Sequence, residues 1–229
     1  MTVAARHPAA GGGRWVVVAP ERLERWLLGF ADRHGTTAWE AGPSHVIGTA
    51  ADGARAECEV PFPPLDADAE APHGGLVAHA RAERTVGVLL VRLGGFAVGV
   101  FSGRRRLASK VGSRPVHART SAGGWSQQRF ARRREAQAKV AIETAAEVAE
   151  RILLPWVDRL EAVVVGGDRR AVDAVLADPR LVRLNPLVRG RLLDVPDPGQ
   201  RVLEQAHENC LKVHIRVVDA DWGPAVRLP

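Results

Sequence analysis

Residues 85–102 constrain this chain most: two apolar runs rich in β-branched residues, 85–93 and 96–102, meet across Gly94-Gly95. A Gly-Gly connection permits the positive φ angles of a primed two-residue turn, so the pair reads as a hairpin of central strands. Central strands need cover on their faces, which confines the fold to a layered architecture. Upstream, 15–19 is a short β-branched run. Pro20 then stands where a first helical turn tolerates it, ahead of Leu23, Trp26, Leu27 and Phe30 at helical spacing. Residues 45–50 and 54–60 form a second hairpin around Ala51-Asp52-Gly53, and 61–75 is a Pro-rich loop.

Downstream the elements alternate. From about Gln127 to Arg151 there is no Gly or Pro, and Ala, Glu, Arg and Gln dominate, which predicts a long helix whose Val140, Ile142, Ala145, Val148 and Ile152 face a core. A strand is expected at 161–165, a helix at 168–177, a strand at 191–195, a helix at 198–210 and a last strand at 212–218. The order implies an α/β fold, a mixed sheet flanked by helices. Residues 1–13 read as a flexible leader and 14–229 as one domain, with a possible sub-division near residue 103.

Charge is distributed unevenly. The chain carries +6 overall, yet the stretch from Arg104 to Lys139 holds eleven Lys or Arg against a single acid, Glu135, and at +10 leaves the rest at −4. Arg104, Arg105, Arg106, Lys110, Arg114 and Arg119 precede a neutral turn at 121–128; Arg129, Arg132, Arg133 and Arg134 follow it. Each phosphate neutralised by such a patch releases counterions, so the partner expected is RNA, a tRNA or an rRNA. Val116, Ala118 and Thr120 alternate with His117 and Arg119 and could form a strand with a basic face.

No apolar run approaches the roughly 20 residues needed to cross a bilayer. The leader lacks the apolar centre of a secretory signal, so the expected location is the cytoplasm. Cys58 and Cys210, the only cysteines, stand in no metal-ligand spacing. Neither a zinc site, a disulfide nor a cofactor is expected, and the chain reads as a monomer.

The neutral turn holds the candidate chemistry. Gly123 and Gly124 let backbone approach a ligand closely, and Gln127 or Gln128 can orient a water or hydroxyl without carrying charge. A glutamine is not a general base. The proton acceptor must come from substrate, water or a neighbour such as His117, and the site must work by positioning and electrostatics. Trp125 could stack on a base. The same residues also fit a solvated loop with Ser126 capping the next helix. His207, Glu208 and Cys210 read as ordinary helix residues, and Gly166-Gly167-Asp168 as a strand-to-helix connection without a Walker lysine.

Gly123-Gly124-Trp125-Ser126-Gln127, followed by Arg129-Phe130 and Arg132-Arg133-Arg134 at the opening of a long helix, resembles the signature of actinobacterial Vms-like release factors. These are bacterial relatives of the yeast Vms and animal ankyrin-repeat zinc-finger proteins of ribosome quality control. The resemblance implies a catalytic domain like the middle domain of the eukaryotic class I release factor. It also implies release of nascent chains from peptidyl-tRNA on stalled or split large subunits, with large-subunit rRNA as a partner. On it, Gly123 and Gly124 match the loop glycines, Gln127 the essential glutamine and Arg119 a basic residue before the loop. Trp125 is an inserted residue, and Gln128 leaves the glutamine ambiguous by one position. Two chemistries are implied, hydrolysis of the peptidyl ester or cleavage of the tRNA acceptor end. The competing expectation is a non-catalytic RNA- or ribosome-binding module using the same basic patch. A small-molecule enzyme is disfavoured, because no Ser/His/Asp order, metal set or nucleotide fingerprint is present.

Overall fold

The computed structural model describes residues 7–8, 12–92, 95–113 and 126–219, with side chains from 12 to 112 (apart from 93–94) and from 139 to 219. Among the described residues, ten strands and five α-helices follow in chain order. They are β1 (His7–Pro8), β2 (Arg14–Val18), α1 (Pro20–His34), β3 (Thr37–Ala41), β4 (His45–Ala50), β5 (Arg55–Glu59), α2 (Leu76–Arg81), β6 (Thr85–Arg92) and β7 (Gly95–Ser102). After these come β8 (Arg105–Ser113), α3 (Ser126–Leu153), β9 (Ala162–Gly167), α4 (Arg169–Leu176), α5 (Gln200–Cys210) and β10 (Val213–Val218). Short 3-10 stretches precede α2, follow α3 and span Pro179–Leu187.

These elements form two compact units, one of residues 1–82 with 210–229 and one of 83–209. The boundaries lie at 82/83 and 209/210; residue 103, where the sequence offered a sub-division, sits in the β7–β8 turn inside the second unit.

The first unit is a six-stranded antiparallel sheet ordered β1-β2-β10-β5-β4-β3. Alternate residues Val16, Val18, Val46, Ala56, Cys58, Val213, Ile215 and Val217 face one buried cluster with Leu23, Leu27 and Phe30 of α1 and Leu76 and Ala80 of α2. Burial pushes the Cys58 thiol up to about 12, which makes it an inert core residue. On the other face Arg216 donates two hydrogen bonds to Glu57, at 2.8 and 2.9 Å.

The second unit is a mixed four-stranded sheet ordered β8-β7-β6-β9, with β6 and β9 parallel and the rest antiparallel. Both faces are covered, as the apolar runs of β6 and β7 require. Leu89, Val91, Phe96, Val98, Val100, Val163 and Val165 pack under α3, α4 and the 179–187 turn. On the opposite face the His207 ring of α5 stacks on Phe101, and Leu203 lies against Gly99.

Several sequence expectations change. β10 does not extend the sheet of β6 and β9; it pairs antiparallel with β2 and β5 and closes the first unit. The strand expected at 191–195 is reduced to one bridge, Leu193 against Gly166, because only Leu193 exchanges backbone bonds with β9. The loop at 61–75 ends in a helical turn leading into α2. Strands β1, β3 and β8 add to the expected elements, β1 lying within the stretch read as a flexible leader. The hairpin register pairs Arg92 with Gly95, and the strand suggested by Val116, Ala118 and Thr120 lies outside the described residues.

Candidate nucleic-acid interface

Four of the expected RNA-binding residues stand on or beside one edge strand. Arg104 lies in the β7–β8 turn, where Gly103 takes φ +52° and donates its N–H to the Arg84 carbonyl at 3.1 Å. Arg105, Arg106 and Lys110 follow on β8, all exposed. A period of two would put Arg106 and Lys110 on the same face of the sheet. A bulge opposite Val100 and Phe101 inserts Leu107 and reverses the alternation, so Arg106 pairs with Glu204 of α5 while Lys110 faces the α3 side. The bulge thereby puts a cation of the edge on each face of the sheet, Arg106 being neutralised there by Glu204. Arg105 and Lys110 have no acidic partner among the described residues.

Helix α5 holds this strand through residues four and three apart on one face. Gln200 accepts from the Ser109 hydroxyl at 3.4 Å, Glu204 accepts from Arg106, and His207 Nε2 donates to the Gly103 carbonyl at 2.8 Å. His207 is 3 % exposed and stacks on Phe101 at 4.0 Å between centroids and 8° between planes. In the sequence it reads as an ordinary helix residue. The only available signal was its position seven after Gln200, which means something only once β8 is known to lie alongside.

Burial lowers the His207 pKa from its ordinary value near 6.5, against the opposing pull of the Gly103 carbonyl and of Glu208. The folded state therefore prefers neutral imidazole, and the unfolded chain takes up the proton first as pH falls. Stability from this site is complete above about pH 6.5 and declines below it. Urea unfolding midpoints measured from pH 7.5 down to 5.5 are expected to fall in the wild type and to fall less in His207→Gln.

α3 runs 28 residues, about 42 Å, and begins at Ser126, one residue after Trp125. Gln127 and Gln128 thus occupy backbone positions in its first turn, followed by Arg129, Arg132, Arg133 and Arg134. Eighteen residues make about five turns, so position 127 is in phase with buried Ala145, and positions 129 and 133 with exposed Glu147 and Arg151. Arg114, His117, Arg119, Gly123, Gly124 and Trp125 lie outside the described residues.

Between β8 and the second half of α3 opens a cleft of about 480 Å³. Phe96 and Val111 contribute from the sheet, Thr144, Glu147 and Arg151 from the helix, and Lys110 from the strand edge. Gly112 belongs to the same lining for a steric reason: the Phe96 ring lies across it, closer than 3.0 Å to where a Cβ would be.

Residues 84–216, more than half of the chain, match the family model described as Actinobacteria/chloroflexi VLRF1 release factor. The chain belongs to this release-factor family. The matched span includes every candidate site residue named above, from the basic strand through α3 to α5, and membership places the protein's work in translation. Among solved structures, an archaeal translation termination factor, aRF1, is similar at 21 % identity over 55 % of this chain and 34 % of that one, with a TM-score of 0.42. An archaeal protein is similar at 18 % identity over 69 % and 48 %, TM-score 0.37, and the Vms1 mitochondrial localization core at 10 % over 85 % and 80 %, TM-score 0.41. The chain spans about a third of the archaeal factor's length. No curated protein matches it.

Among the described residues of this release factor, no helix is long and apolar enough to cross a membrane, and no group of three His, Cys, Asp or Glu side chains could hold a metal ion.

Proposed function

We propose that this release factor frees nascent peptide from peptidyl-tRNA on stalled or split large ribosomal subunits, acting in the cytoplasm as a monomer. The observation that carries the reading is a juxtaposition within the family match. The connection from the basic edge strand to the arginine-bearing start of α3 is the segment containing Gly123 and Gly124, and Gln127 follows in the first helical turn.

The chemistry follows from what those groups can do. The Gln127 amide accepts from and donates to a water, holding its oxygen against the ester carbonyl carbon. A carbon–oxygen bond forms, the ester bond to the terminal ribose breaks, and the proton lost by water ends on the ribose oxygen, carried by solvent or by His117. Backbone N–H groups of the glycine loop stabilise the oxyanion. The products are a free peptide acid and intact tRNA. The other outcome for the same loop is attack of a tRNA 2′-hydroxyl on the adjacent phosphorus, in which the P–O5′ bond breaks, a 2′,3′-cyclic phosphate forms and the hydroxyl proton ends on the 5′ oxygen, the arginines stabilising the added charge.

Large subunits bearing labelled peptidyl-tRNA, incubated with the purified protein, should lose peptide from the tRNA. Mass analysis of the tRNA 3′ end reads which bond broke, an intact CCA end for ester hydrolysis and a shortened one for strand cleavage. RNA binding without peptide loss would support the binding-module reading instead. Arg105→Gln and Lys110→Gln are each expected to weaken RNA binding by a similar factor for every sequence tested. Each should flatten the slope of log K against log salt by about 0.7 to 1, checked by fluorescence anisotropy from low to high salt.

A further inference from the structure

We infer that the cleft between β8 and the second half of α3 is a subsite for one unstacked nucleotide of the bound RNA, with preference for a base bearing an exocyclic amino group. The inference rests on the proposed RNA-directed function and adds to it a recognition element away from the Gly-Gly loop.

Its size is suitable, since about 480 Å³ falls within the ~300–1,000 Å³ range of small-ligand sites. Its lining has the three things a nucleotide needs. Phe96, Val111 and Val148 give an apolar, partly aromatic floor for a base taken out of its stack. Lys110 on the strand and Arg151 on the helix, both exposed, put a cation on each wall for the phosphate. The polar atoms between them are acceptors. Glu147 is a carboxylate, and the Thr144 hydroxyl already donates to the Val140 carbonyl at 2.8 Å, which leaves its oxygen only lone pairs to offer.

A wall of acceptors requires a base edge that donates. Adenine, cytosine and guanine present an amino group with two N–H donors; uracil presents a single N3–H flanked by two carbonyl oxygens, which meet Glu147 with repulsion. An acidic peptide would satisfy Lys110 and Arg151 but would set its carboxylates against Glu147, so nucleotide chemistry fits the whole lining better. Positions 129 and 133 lie on the same helical arc as Glu147 and Arg151, about five turns nearer the start of α3.

The test uses the full chain with ¹³C-methyl labels on valine and threonine, titrated with AMP, CMP and UMP. AMP and CMP are expected to shift the Val111, Thr144 and Val148 methyl signals at millimolar concentration, with UMP the weakest of the three. Thr144→Trp fills the cleft from an exposed helix position. It should abolish those shifts and weaken an unstructured RNA oligonucleotide roughly tenfold, the worth of one stacked base, with the salt slope unchanged. Arg151→Gln, a smaller change at an exposed site, should weaken AMP and the oligonucleotide together. Unaltered methyl signals with all three nucleotides, or shifts produced by an acidic peptide alone, would overturn the subsite while RNA binding by the edge strand and the release reading stand. Failure of the wild type to bind any RNA would instead bring down the release reading, and the subsite with it.

Discussion

Gln127→Ala is expected to lower single-turnover peptide release by about 10²-fold while RNA affinity stays within about twofold. Removing one amide that positions a reactant or stabilises developing charge costs on the order of 10²–10³ in rate. An uncharged side chain contributes little to phosphate attraction, so binding carried by Arg105, Lys110 and the arginines of α3 should survive. Position 127 lies in the first turn of α3, where backbone N–H groups have no intrahelical acceptor and the helix dipole favours negative charge. Gln128 sits about 100° further round the helix. The two positions are therefore not equivalent on the helix, and the proposed chemistry is assigned to Gln127. Gln128→Ala should cost less than tenfold. The reverse order would move the assignment by one residue, and full activity in both variants would remove glutamine from the chemistry. The rates are read by quench-flow on large subunits bearing labelled peptidyl-tRNA.

The parts of the fold legible in the sequence are those whose pattern is local. The β6–β7 hairpin, the Pro20-led α1 and the Gly- and Pro-free α3 each carry a periodicity or a stop signal of their own, and each forms within one or two residues of where that signal puts it. β8 carries neither. Its Arg105-Arg106-Leu107-Ala108-Ser109-Lys110 run interleaves charges with small residues, and it becomes a strand because β7 offers a free edge. β3, with Ala38, Trp39 and Glu40, is an edge strand for the same reason. The 191–195 run has a strand's composition, but Leu193 alone reaches β9. The site divides in the same way. The density of arginine was plain from residue types, whereas the pairing of Gln200, Glu204 and His207 with Ser109, Arg106 and Gly103 spans about a hundred residues and exists only once α5 is laid beside the strand.

That splint underlies the largest stability effect expected. Phe101 is 2 % exposed, and its ring lies flat on His207, so Phe101→Ala removes a full aromatic contact and leaves a cavity between β7 and α5. Loss of transfer energy plus the cavity amounts to about 3–5 kcal/mol for a buried Phe→Ala change. Phe101→Leu keeps most of the volume and should cost under ~1.5 kcal/mol. His207→Phe keeps a stacked ring but loses the hydrogen bond to Gly103, a change of about 1 kcal/mol, and should also lessen the decline in stability below pH 6.5, the remainder coming from groups such as half-buried His73. Urea denaturation gives the totals, and hydrogen exchange locates them. In Phe101→Ala the amides of α5 and β8 should lose protection before those of β6 and β9, because the ring docks α5 on β7 and α5 in turn holds β8 and its turn through Ser109, Arg106 and Gly103. Uniform loss of protection across all four strands would show that α5 is not a separable splint, and that the arginines of β8 owe their placement to sheet pairing alone.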